Sequence, residues 1–100
     1  MILATPPVVG ERRNGESKFD AMLEDYAKIS RDVGRRMSAT ICDLRLTMPA
    51  YLSVFNEVNA EEGILTTDRV HYNAAGNRFV ANHAAKAIYE AMAAKNARSE

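Results

Sequence analysis

From Ala39 to Leu46 the chain reads ATICDLRL, with β-branched Thr40 and Ile41 and no alternation of polar and apolar positions. A strand with one face in water alternates, whereas one buried on both faces need not. This segment is therefore expected to be a strand covered on both sides, which constrains what surrounds it. Upstream, Phe19, Met22, Leu23, Tyr26, Ile29, Val33 and Met37 form one helical stripe. Ser17 is the expected cap of that helix, and Asp20 supplies a shortened capping box. Downstream, Val80, Ala84, Ala87, Ile88, Ala91 and Met92 make a second stripe, on a helix capped by Asn73 and fraying in KNARSE. Between them, Thr47 precedes a short helical stretch with Pro49 in its first turn. At the start, MILA reads as the end of a strand stopped by TPP, because proline lacks the ladder N–H and restrains its neighbour.

The order is strand, helix, strand, short helix, loop, helix, which predicts an α/β layer fold with parallel strands. Two strands fall short of the roughly four to six in a typical sheet. The chain is therefore expected to be the C-terminal portion of a sheet whose other strands lie elsewhere. Its 100 residues, 47% hydrophobic and 26% charged, suit a globular chain and not a disordered one. Thirteen basic residues balance thirteen acidic ones, so no global field favours nucleic acid or an anionic membrane. The pairs Arg12-Arg13 and Arg35-Arg36 read as solvated surface, and no apolar run approaches the roughly 20 residues of a bilayer span. MILATPPVVGE has no basic start and two prolines in its apolar run, a poor match to a signal peptide. Cys42 is the single cysteine, which excludes an intrachain disulfide, leaves the compartment unassigned and is expected to be a buried structural thiol.

The chemistry concentrates in TTDRVHYNAAGNRF, residues 66–79, where Asp68 and His71 stand three apart just before a helix. A carboxylate bonded to one ring N–H fixes the tautomer of an imidazole, so that the other nitrogen can take a proton. An imidazole titrating near ~6.5 suits general base and then general acid work. Spacing alone leaves chance proximity and a metal site as alternatives. A closed zinc site needs about four ligands, and the other His and Cys residues, His83 and Cys42, lie within regular elements.

GILTTDRVHYNAAGNRFVANHAAKAI resembles the last sequence block of the SGNH (GDSL-type) esterases and lipases, where a D-x-x-H-x-N segment precedes a helix opening with a small residue and glycine. ILATPPVVGE is similar to that family's fourth strand and following loop, and ICDLRL falls where its fifth strand should. The resemblance covers nearly the whole chain. It implies the C-terminal part of a three-layer α/β/α, flavodoxin-like fold with a parallel sheet, residues 1–100 being a partial domain. Carried over, Asp68 is the orienting acid and His71 the general base of a Ser-His-Asp triad. One departure is Arg69, where the family commonly has glycine, a residue free to adopt positive φ.

The family's serine belongs to a G-D-S-L block, and its oxyanion hole to that serine, a glycine and an asparagine from other blocks; none of these blocks is in this sequence. Gly15-Glu16-Ser17 mimics G-D-S but follows a polar loop rather than a strand, so Ser17 reads as a helix cap. His83 is expected to be a partly buried helix residue, Asp43 a structural anchor for a loop or helix N-terminus, and Tyr72 and Arg69 either pocket-lining or solvent-exposed. The implied activity is carboxylic ester hydrolysis of a small-molecule substrate, with no metal or organic cofactor, once an N-terminal half completes the domain. The rival is a non-catalytic interaction or oligomerisation module derived from such an enzyme.

Overall fold

A computed structural model describes residues 1–13 and 15–99. The elements are β1 (Ile2–Ala4), α1 (Asp20–Arg36), β2 (Thr40–Cys42), α2 (Leu44–Phe55) and α3 (Ala74–Ser99). β1 and β2 pair in parallel, with Leu3 opposite Ile41 and Ala4 opposite Cys42. Gly34 of α1 lies against the side chains of Leu3 and Ile41. Ala87 of α3 clusters instead with Cys42 and Leu44. Successive strand residues point to opposite faces, so α1 and α3 cover the two sides of the sheet. The expected α/β architecture with parallel strands is what the chain adopts, but of the strand residues only Cys42 is buried, so the full burial expected of the sheet is not reached here.

The boundaries differ from expectation in the middle of the chain. β2 stops at Cys42, and the DLRL expected to continue the strand opens α2. The cause is Asp43, whose carboxylate accepts the Leu46 N–H at 3.3 Å and caps the helix. The same carboxylate receives Arg31 at 2.9 and 3.0 Å and the Thr5 hydroxyl at 2.8 Å. Burial would raise its pKa, but the bonds from Arg31 and Thr5 outweigh burial and the net shift is downward. Asp43 is thus the anchor expected of it. Because α2 starts at Leu44, Pro49 lies inside the helix rather than in its first turn. Arg45, expected in the strand, is buried in the first turn of α2 and pairs with buried Asp20 at 3.3 Å.

α1 also departs in detail. It begins at Asp20 with Phe19 at the cap position, and the Ser17 hydroxyl makes no cap bond. Only the reverse half of the capping box forms, the Ser17 N–H donating to Asp20 Oδ2 at 2.9 Å. The helix buries Leu23, Ala27 and Gly34, while Phe19, Met22, Tyr26, Ile29, Val33 and Met37 stay exposed. α3 continues through Ser99 instead of fraying from Lys95; Glu100 lies outside the described residues. Cys42 is buried, and that burial raises its pKa, as for a structural thiol.

The main core gathers Val8, Met48, Leu52 and Leu65, with Tyr51, Tyr72, Phe79 and Val80 packed on it. It sits beneath the loop joining α2 to α3 and fixes that loop to the rest of the chain. No helix among the described residues is long and apolar enough to cross a membrane.

Candidate active site

The loop before α3 is shaped by short-range bonds. Thr66 and Tyr72 form an antiparallel bridge, and the Thr67 N–H donates to the His71 carbonyl at 2.9 Å. This leaves Asp68, Arg69 and Val70 at the tip of a tight turn. Arg69 takes φ 76°, the left-handed conformation that glycine adopts most readily. Arg69 therefore makes a turn of the kind that glycine makes most readily.

At that tip the Asp68 carboxylate gathers three N–H groups. Oδ1 accepts the backbone N–H of His71 at 2.7 Å and of Val70 at 3.1 Å. Oδ2 lies 2.7 Å from His71 Nδ1. These bonds hold Asp68 at a pKa of about 2, the His71 backbone N–H contributing most and its ring next. With a proton on Nδ1 donated to Asp68, the lone pair of Nε2 is free to accept one. The imidazole is 79% exposed, and among the described residues Nε2 has no hydrogen-bond partner. The two residues singled out from the sequence thus meet in the geometry of an orienting acid and a base.

The loop's footing rests on Asn73, which caps α3 as expected. Its Oδ1 accepts the Gly76 N–H at 2.9 Å, while its Nδ2 donates to the Ile64 carbonyl at 3.2 Å. Gly76 lies so close to the loop that a Cβ there would be 2.0 Å from the Leu65 carbonyl oxygen. Only glycine allows the helix end to seat against the loop backbone.

One contributor was not singled out from the sequence. Glu11 is fully buried, and its carboxylate accepts the N–H groups of Ile64 and Leu65 and the Thr66 hydroxyl. The available signal was a single acidic side chain in the first fifteen residues, directly after the apolar VVG.

The remaining candidates fall elsewhere. His83 donates from Nδ1 to the Phe79 carbonyl at 2.9 Å and stacks on the Phe79 ring, one turn along α3, as a partly buried helix residue. Tyr72 packs on the core, and its burial raises the phenol pKa. Arg69, with Gly10, Ser17 and Phe19, borders a groove of about 450 Å³ beside Asp68. No serine hydroxyl among the described residues hydrogen-bonds to His71. No three His, Cys, Asp or Glu side chains among them converge to hold a metal ion.

The chain matches no protein-family model and no curated protein. Among solved structures it matches the crystal structure of an acetyl xylan esterase, AlAXEase, with a TM-score of 0.84 and 37% sequence identity. The fold is shared with an esterase. The match covers 87% of this chain but 44% of the esterase, so the chain spans less than half of that protein's length. The two strands and three helices here thus correspond to part of that esterase.

Proposed function

We propose that residues 1–100 are the C-terminal part of an SGNH (GDSL-type) ester hydrolase domain and supply two members of its triad. The observation that carries this reading is the Asp68–His71 pair: Oδ2 and Nδ1 are 2.7 Å apart while Nε2 faces solvent. Esterase likeness over 87% of the chain supports it, as does the D-x-x-H-x-N-x-x-G run from Asp68 to Gly76. Asp68 fixes the tautomer and stabilises the imidazolium. His71 Nε2 takes the proton of a serine hydroxyl as that oxygen attacks the ester carbonyl, then gives it to the departing alcohol. Water, deprotonated by the same nitrogen, releases the acid and regenerates the serine. The serine and the oxyanion donors come from N-terminal blocks that this sequence does not contain. The neighbour's name points to acetyl esters of a polysaccharide as the substrate class.

The rival, an interaction module, draws on the exposed apolar stripe of α1. Completion of the domain accounts for that stripe equally well and also gives the Asp68–His71 geometry a use. The test joins this chain to the N-terminal portion of an SGNH hydrolase and treats it with a fluorophosphonate probe. Acetyl-ester hydrolysis should appear, with the label on a serine outside these 100 residues. Stoichiometric label on a serine of this chain would contradict the proposal. Alone, the chain should hydrolyse p-nitrophenyl acetate no faster than free imidazole, since one oxyanion donor is typically worth about 10²–10³ in rate.

A further inference from the structure

Glu11 and the catalytic pair are far apart in sequence and never touch, yet two hydrogen bonds link Glu11 to the backbone of Arg69, the neighbour of Asp68. Glu11 Oε2 accepts the Thr66 hydroxyl at 3.0 Å, and Thr66 Oγ1 in turn accepts the Arg69 N–H at 3.1 Å. On the other side of the same residue, the Gly10 N–H donates to the Arg69 carbonyl at 2.9 Å. Gly10 and Glu11 therefore grip Arg69 at both its peptide groups, and Arg69 is the loop residue at φ 76°. With Arg69 so turned, the N–H groups of Val70 and His71 converge on Asp68 Oδ1, which leaves Oδ2 for the imidazole. Glu11 is itself fixed, its N–H donating to the Glu61 carbonyl at 3.0 Å and its carbonyl accepting Asn56 Nδ2 at 2.6 Å.

We propose that Glu11 is a positioning residue that, through Thr66, holds Arg69 in its left-handed conformation and so turns the Asp68 carboxylate onto His71. The inference rests on the reading of Asp68 and His71 as orienting acid and base, and adds what keeps them in register. Three donors and no acceptor meet the two oxygens of Glu11. An ionised carboxylate satisfies all three, whereas an amide would turn N–H groups against at least one. Thr66 is equally specific, since its hydroxyl must donate and accept at once. Serine can do both and valine neither.

The experiment is a ¹³C-carboxyl NMR titration of Asp68 in the full chain. Besides His71, the charged groups bordering the groove beside Asp68 are Glu16, Lys18, Glu61 and Arg69, and substitution of Thr66 alters none of them. The wild-type carboxyl should titrate at about 2. Thr66→Val should move it toward the ~3.9 of a free side chain, and Thr66→Ser should leave it low. In Thr66→Val, adding Arg69→Gly should bring the value back down, because glycine adopts positive φ unaided. Loss of the Arg69 cation alone would push it up, so the direction separates posture from charge. Glu11→Gln should behave like Thr66→Val; should it unfold the chain, Thr66→Val, which spares the two backbone bonds to Glu11, decides. A low wild-type value unmoved by Thr66→Val in a folded chain would overturn the proposal alone. A wild-type value near ~3.9 would overturn the Asp68–His71 pairing and the proposal with it.

Discussion

At the residue scale, Asp68 and His71 were legible because their contact is local: three positions apart, they need only a turn between them. Glu11 was not, since its partners Ile64, Leu65 and Thr66 lie 53 to 55 positions away and no short motif encodes such a contact. Two predictions belong here. Arg69 is exposed and left-handed, a conformation that costs an L-residue roughly 1–2 kcal/mol. Arg69→Gly should therefore raise Tm by a few degrees, offset in part by the greater freedom of glycine in the unfolded chain, as a calorimetric scan would record. The second concerns acid. Asp68 titrates at about 2 when folded, below its unfolded value of ~3.9. The ionised form is thus favoured by folding: its contribution is complete above ~3.9 and is lost as pH falls through the folded value. Amide exchange at Val70 and His71 should speed up as pH falls through that window, relative to α3. In Asp68→Asn that added dependence should disappear.

At the element scale, the sequence yielded the order of helices and strands and their parallel, doubly covered arrangement. It misplaced the end of β2. Asp43 was legible as an anchor for a helix N-terminus, but the bonds to Arg31 and Thr5 that seat it there, 12 and 38 positions away, leave no local signal of where the strand ends. Of the apolar stripe that periodicity picked out on α1 only Leu23 is buried here; the face against the sheet adds Ala27 and Gly34, and the larger apolar residues lie beside it. Close packing, not hydrophobicity, selects that face. Two glycine substitutions distinguish the contacts that matter. A Cβ at Gly76 would meet the Leu65 carbonyl at 2.0 Å, and backbone cannot easily yield. Gly76→Ala should destabilise by about 1–3 kcal/mol, visible in urea unfolding, and loosen the loop before α3. At Gly34 the obstacle at 2.2 Å is the terminal Cδ1 of Ile41, which can rotate. There the gain in helix propensity, up to about 1 kcal/mol, offsets much of the strain, so Gly34→Ala should lie closer to wild type.

At the scale of the whole molecule, Phe19, Met22, Tyr26, Ile29, Val33 and Met37 are each 40% to 61% exposed along one side of α1. β1 pairs with β2 alone among the described residues, which leaves its other edge open. An apolar stripe beside an open strand edge favours association. The chain by itself should therefore self-associate or bind dyes for apolar surface, and a monodisperse monomer with no dye binding in sedimentation velocity would contradict this. On the proposed function, the same face is the seam along which the rest of a hydrolase domain would complete the sheet, in keeping with a span of 44% of the esterase the chain resembles. The most direct measurement of the central claim uses the completed domain and compares kcat on an acetyl ester for wild type, His71→Ala and His83→Ala. His71→Ala should abolish turnover, since removing the base of a triad costs about as much as removing the whole unit, while His83→Ala should change stability more than rate. Near-normal kcat in His71→Ala would show that this chain does not supply the base.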